Sequence, residues 1–111
     1  NPHNVTAAQI GAMAQPGVSV EAGSFTVAEV DGFDVWYKVT GASVTVTIPS
    51  GLTVGHRFSV NCKATTTFNA TAVTVDVPTG KQLAPFGDNS SLGFVVTSTD
   101  TLDVFGGLAD L

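Results

Sequence analysis

The sequence predicts an all-β fold, a small antiparallel β-sandwich or jelly-roll-like domain. Valine and threonine alternate with period two along most of the chain, as in half-buried strands. Turn residues separate these segments at intervals of about 8 to 14 residues, the spacing of a sandwich. No helical segment is available there as a crossover between parallel strands, which favours antiparallel pairing. The 111 residues are enough for one small domain.

About seven strands are predicted, each with one apolar face turned toward a common core. Cys62 falls on an apolar face and is therefore expected to be a core residue. Trp36 falls on the other face of its strand, opposite Tyr37. The turn at Asp31 and Gly32 is expected to close a hairpin. The predicted strands cover residues 24–30, 34–40, 43–48, 57–64, 73–77, 92–97 and 101–105.

Residues 1–16 are predicted to form a segment with a short helix, and residues 17–111 a β-sandwich domain. Thr6 and Gln9 have the spacing of a helix capping box, and Gly11 is placed to end the helix. A helix of one to two turns is unstable alone in water, so its apolar side chains are expected to pack against neighbouring chains. The apolar side chains expected at this contact between chains are Val5, Ile10 and Met13.

Charge and hydropathy exclude two classes of partner. The chain has 4 Lys and Arg against 9 Asp and Glu, a net charge of -5, which argues against nucleic-acid binding. Its apolar runs are far shorter than the roughly 20 residues that span a bilayer, so no membrane insertion is expected. The mean hydropathy of +0.31 indicates more apolar surface than one small core buries. Another protein chain is expected to cover the excess.

Residues that carry catalysis or hold metals form no recognisable motif. A serine or cysteine nucleophile needs a neighbouring base, and neither His3 nor His56 lies in such a pattern. Asp31 and Asp34 have the chemistry of a glycosidase carboxylate pair, but the favoured interpretation is two turn residues flanking Gly32. No catalytic residue, metal or cofactor is predicted.

Three aromatic residues are candidates for a saccharide-binding surface: Phe33 in a turn, Trp36 on the following strand and Phe86 in a later loop. Flat aromatic faces stack on sugar rings, while short polar side chains bind the hydroxyl groups. Asp88 and Asn89 beside Phe86 are expected to supply such groups. The alternative is that Trp36 and Phe86 pack in a core or between subunits.

The N-terminal eleven residues, NPHNVTAAQIG, carry a motif. They resemble the N-P-H-x-V-T-x-x-Q-[IV]-G segment of bacteriophage tail fibres, baseplate proteins and receptor-binding proteins. The chain departs from the usual form after Gly11, where fibres often continue Leu-Gly-Asn-Val. The remainder is similar, by pattern more than by identity, to short β domains at the distal ends of such fibres. That second similarity lies in SVTVTIP at 43–49, VTVDVPTG at 73–80 and FGGL at 105–108.

The resemblance implies a homotrimeric fibre component of the virion, extracellular and joined to an upstream shaft. Residues 1–16 would be its connecting and trimerisation segment, with Val5, Ile10 and Met13 at the trimer interface, and residues 17–111 its tip, or knob. Its knob would attach the virion to a polysaccharide or protein receptor on the host bacterium. The alternative is a structural tip or trimerisation domain of a fibre or baseplate protein without receptor contact. A polysaccharide depolymerase is a third hypothesis, and 111 residues are few for the scaffold of such an enzyme. The chain is therefore not expected to be an enzyme.

Overall fold

The computed structural model describes residues 17–63, 65–83 and 90–111. These residues form eleven β-strands, which confirms the predicted all-β fold class. A 3-10 turn, Glu29–Asp31, separates the second strand from the third. The strands are β1 (Gly17–Glu21), β2 (Phe25–Thr26), β3 (Asp34–Val39), β4 (Ser43–Thr47), β5 (Arg57–Asn61), β6 (Thr65–Asn69), β7 (Thr74–Asp76), β8 (Lys81–Gln82), β9 (Ser91–Ser98), β10 (Thr101–Gly106) and β11 (Ala109–Asp110).

The first six strands wind back and forth between two sheets. Strands β1, β3 and β5 are parallel neighbours in one sheet, sheet A. Strands β2, β4 and β6 are parallel neighbours in the other, sheet B. Each strand of sheet A is therefore connected to its parallel neighbour through a strand of sheet B. The chain coils in this part like a short solenoid.

The later strands extend sheet A and close the fold. β9 pairs antiparallel with β5, β10 pairs antiparallel with β9, and β7 pairs parallel with β10. Sheet A has the order β1-β3-β5-β9-β10-β7. The short strands β8 and β11 form a separate antiparallel ribbon.

The core lies between the inner faces of the two sheets. In sheet A the rings of Phe58 and Phe94 stack across neighbouring strands, with centroids 4.8 Å apart. Phe25 of sheet B lies 4.8 Å from Tyr37 of sheet A, and Phe68 of sheet B lies 5.5 Å from Phe94. Burying each such ring contributes about 1.5–3 kcal/mol of apolar transfer free energy. These contacts across the sheets hold the two layers together.

The predicted antiparallel arrangement is wrong for the winding part of the chain. That prediction assumed that parallel neighbours need a helical crossover. Here a strand of the opposite sheet makes the crossover, so parallel pairing needs no helix. The structure shows the repeat of the coil in the inner-face residues of successive turns. Val35 and Tyr37 in one turn of the coil pair with Phe58 and Val60 in the next.

The alternation within strands predicted the buried faces well. Val35, Tyr37 and Val39 are buried and Trp36 is exposed, as expected. Cys62 is fully buried, which confirms it as a core residue. The remaining predicted inner positions that are buried are Val44, Val46, Ile48, Phe58, Val60, Leu102 and Val104.

Several local predictions were wrong. The predicted strand 24–30 ends at Thr26, because the chain enters the 3-10 turn and leaves Val30 exposed. Asp31 and Gly32 close no hairpin, because β2 and β3 belong to different sheets. Strand β1 was not predicted from the sequence because its valines face outward. Strand β6 was not predicted because threonine takes the place of most of its apolar residues. The predicted helix in residues 1–16, with Val5, Ile10 and Met13, lies outside the described residues.

Candidate functional site

The outer face of sheet A carries the exposed aromatic side chains of the described strands. Alternation places every second residue of a strand on this face, and register aligns those residues across strands. Two neighbouring rows result. The aromatic row consists of Val18, Trp36, Ser59, Gly93 and Phe105 on β1, β3, β5, β9 and β10. The charged row consists of Asp34, Arg57, Val95, Asp103 and Asp76 on β3, β5, β9, β10 and β7.

Trp36 lies on the outer face because its neighbours in β3 are fixed in the core. The Tyr37 ring is fully buried, and its hydroxyl donates to a carboxylate oxygen of Asp31 at 2.9 Å. That hydroxyl also accepts from the backbone N–H of Ala28 at 3.1 Å. Burial raises the pKa of Tyr37 well above its usual range. With Tyr37 held inward, Trp36 points outward and keeps 47% of its surface exposed.

Phe105 forms the other aromatic end of the row. A Cβ built at Gly93 would collide with Cε2 and Cζ of the Phe105 ring, so this ring lies against the Gly93 backbone. The ring is nevertheless 53% exposed. One side of Phe105 is therefore seated on the sheet, and the other side is available to a ligand.

Polar groups lie between these two aromatic residues. Ser59 is on the aromatic row between Trp36 and Gly93. In a third row, which lies on the side of the aromatic row away from the charged row, Asn61 on β5 donates from Nδ2 to Oγ of Ser91 on β9 at 2.9 Å. Hydroxyl and amide groups between aromatic platforms are suited to a polyhydroxylated ligand.

Phe33 is exposed but does not belong to the aromatic row. It precedes β3, keeps 44% of its surface exposed and packs edge-on against His56, with centroids 6.4 Å apart. Within the described part of the chain, no ring contact joins Phe33 to Trp36. The two predicted site residues are therefore separate exposed aromatics. The other predicted site residues, Phe86, Asp88 and Asn89, lie outside the described residues.

His56 is buried beneath Phe33 and Phe58. Its Nε2 has no hydrogen-bond partner among the described residues. Burial lowers the pKa of His56, although the carboxylates of Glu29 and Asp34 act in the opposite direction. The neutral imidazole is the form that this environment favours.

The residues considered for catalysis have other contacts. Asp31 accepts from Tyr37, while the nearest carboxylate oxygen of Asp34 lies 4.0 Å from Nε of Arg57. Burial raises the pKa of Cys62 to about 11, which keeps it a thiol rather than a nucleophilic thiolate. In residues 17–63, 65–83 and 90–111, no three His, Cys, Asp or Glu residues form a group that would hold a metal ion.

Phe105, Asp76 and Asp103 were not predicted from the sequence as residues of this face. The alternation of Leu102 and Val104 indicates that Asp103 and Phe105 face outward. The sequence carried no signal that β7 lies beside β10, which places Asp76 opposite Asp103.

No family model matches the chain, and no curated protein matches it at a significant level. Within the described residues, no helix has the length and apolar character needed to cross a membrane.

Proposed function

We propose that this chain is the receptor-binding tip of a bacteriophage tail fibre and attaches the virion to a polysaccharide on the bacterial surface. The observation that carries the proposal is the aromatic row on the outer face of sheet A. Trp36 and Phe105 are each about half exposed in one row, with small residues between them. The tail-fibre part of the proposal rests on the resemblance of residues 1–11 to phage fibre segments.

The geometry of the row suits an extended saccharide. Trp36 and Phe105 are three strands apart, which corresponds to about 14 Å at roughly 4.8 Å per strand. A chain of sugar rings laid across the strands would stack on both aromatic residues. Ser59 between them and Asn61 in the adjoining row offer hydrogen bonds to its hydroxyl groups. Strand-borne side chains are also held more rigidly than loop side chains, which lowers the entropy cost of binding.

The proposed assembly is a homotrimer joined to an upstream fibre shaft through residues 1–16. A single exposed face of this kind binds one saccharide chain weakly. Three such faces on one body engage a repetitive surface polymer together and raise the overall affinity, provided that the geometry allows simultaneous contact.

The structural alternative, a tip domain without receptor contact, also has an observation in its favour. Val18 and Val20 on β1 are 75% and 63% exposed, and Val18 lies beside Trp36 in the aromatic row. An apolar patch of this kind is a surface that another chain would cover. Under this alternative, Trp36 is buried between subunits in the assembled protein.

Binding to a panel of immobilised bacterial surface polysaccharides tests the proposal. The parent protein is expected to bind at least one polysaccharide, and Trp36→Ala and Phe105→Ala are each expected to weaken that binding about tenfold or more. Val30→Ala is the matched control, because Val30 is 78% exposed and belongs to the 3-10 turn rather than to a strand of the aromatic row.

Equal binding by the parent and both aromatic variants would overturn the assignment of this face. Absence of binding to any polysaccharide, together with a Trp36 that is buried in the oligomer, would favour the structural alternative. Release of reducing ends from a bound polysaccharide would instead support the depolymerase hypothesis.

A further inference from the structure

A shallow depression lies on the outer face of sheet A beside Phe105. Its volume is about 300 Å³. It lies at the β7 side of the sheet, three strands away from Trp36. The residues that line it are Asp76, Pro78, Val95, Asp103, Val104 and Phe105. The depression therefore combines carboxylates with an aromatic wall and apolar side chains.

The two carboxylates of the depression lie on neighbouring strands, and neither has a basic partner among the described residues. Asp76 on β7 and Asp103 on β10 are directly opposite in the register, and both are exposed. Like charges in this position repel. In the described part of the chain, the ion pairs are Arg57 with Asp34 and Lys81 with Asp110, and neither touches the depression. The site has the charge to hold a cation.

The aromatic wall favours an organic cation over a metal ion. Phe105 is seated on Gly93 and presents its free side at the depression. Aromatic faces attract ammonium groups within about 6 Å of the ring centroid. Calcium takes six to eight oxygen ligands, whereas Asp76 and Asp103 are the only carboxylates that line the depression among the described residues.

We propose that this depression binds an amino sugar with a free amine. The protonated amine lies between the carboxylates of Asp76 and Asp103, and the sugar ring packs on Phe105. This inference rests on the proposed function and specifies it, because it names the class of sugar unit recognised at one end of the aromatic row. An N-acetylated unit lacks the charge and gains nothing from the two carboxylates.

Amide chemical shifts under titration test the inference on the intact protein. The probes are glucosamine, N-acetylglucosamine, glucose and calcium chloride, each added separately at pH 6 and low salt. Glucosamine is expected to shift the amide signals of Asp76, Asp103 and Phe105, and added salt is expected to weaken this response because the attraction is between charges. N-acetylglucosamine and glucose are expected to bind about tenfold more weakly or not at all.

Variants separate this site from the rest of the face. Asp103→Asn and Asp76→Asn are expected to weaken glucosamine binding about tenfold. Glu21→Gln removes one negative charge from β1, the edge strand at the opposite side of sheet A, and is expected to leave glucosamine binding unchanged. Asp103→Asn is also expected to raise the melting temperature by about 1–3 °C, because it relieves the repulsion with Asp76.

Three results would overturn the inference: equal shifts with N-acetylglucosamine, unchanged glucosamine binding in Asp103→Asn, or a response to calcium alone. None of these results contradicts the proposed function if Trp36→Ala still weakens polysaccharide binding about tenfold or more. Conversely, Trp36→Ala is expected to keep its glucosamine response. Loss of the Trp36 effect with an intact glucosamine response would contradict the proposed function alone.

Discussion

The ring of Phe105 on β10 lies against the backbone of Gly93 on β9, on the outer face of sheet A. A side chain at Gly93 would occupy the space that the ring fills. The absent side chain therefore determines where Phe105 lies, and Phe105 in turn shields Gly93, which is buried although it faces outward. Both the aromatic row and the depression beside it depend on this pair.

Gly93→Ala is expected to displace the Phe105 ring. The added methyl group forces a shift of the ring or of the strand, at a cost of about 1–3 kcal/mol in the free energy of unfolding. Chemical denaturation measures this cost, and polysaccharide binding is expected to fall with it. The control is Gly23→Ala, because a Cβ at Gly23 meets nothing within 4 Å. Equal stability of the two variants would contradict the packing described for Phe105.

The buried His56 is expected to make the protein less stable in mild acid. Its folded-state pKa is lowered by burial, so the unfolded chain takes up the proton first as the pH falls through about 6.5. The stability contributed by the neutral imidazole is fully present above that pH. Below about pH 6.5 this contribution to the free energy of unfolding decreases, by at most about 1.4 kcal/mol per pH unit, until the folded protein also binds the proton.

Denaturation at pH 7.5, 6.5 and 5.5 measures this effect in the parent protein and in His56→Leu. The parent is expected to lose stability across this range, and the variant is expected to lose less because the titrating group is absent. A parallel pH dependence of the two proteins would show that another group is responsible.

Tyr37→Phe is expected to destabilise the fold by about 1–2 kcal/mol. The substitution keeps the core ring but removes the hydroxyl that accepts from Ala28 and donates to Asp31. The Ala28 N–H then loses its partner, and the 3-10 turn loses its link to β3. Thermal or chemical unfolding measures the change. A variant as stable as the parent would mean that these hydrogen bonds contribute nothing net to the fold.

The alternation of apolar and polar residues predicted which side chains of a strand face the core, but not which strands are neighbours. Val35, Tyr37 and Val39 were assigned to the core because side chains on a strand alternate between two faces, and that rule is local. The pairing of β3 with β1 and β5 depends on packing between sheets A and B, which no single segment encodes. The antiparallel prediction failed for this reason.

The candidate site was likewise predicted from the sequence only in part. Trp36 was identified as an outward aromatic residue because its strand has a regular pattern. Phe105 was placed on a strand, yet its partnership with Gly93 depends on the register between β9 and β10. The approach of Asp76 to Asp103 brings together residues far apart in sequence through a parallel pairing. Such relationships arise from tertiary structure and leave no local signal.

The mass of the native particle tests the proposed assembly. Light scattering on a sizing column is expected to give a mass near three times 11.3 kDa. The segment of residues 1–16 is proposed to join the chains, and under the structural alternative the exposed valines of β1 are covered by another chain as well. A replacement of Val18 and Val20 by threonine is expected to lower the trimer fraction at low protein concentration if β1 contributes to the interface. A monomer of the parent protein at all concentrations would contradict the proposed trimer.

The fluorescence of the single tryptophan tests the central claim most directly. Trp36 is the only such emitter and lies in the aromatic row, so its emission reports contact at the proposed face. Titration with a polysaccharide that the protein retains is expected to shift the emission maximum to shorter wavelength as the ligand excludes water from the indole. Retention of the polysaccharide with an unchanged emission spectrum would contradict the claim that this face binds the receptor.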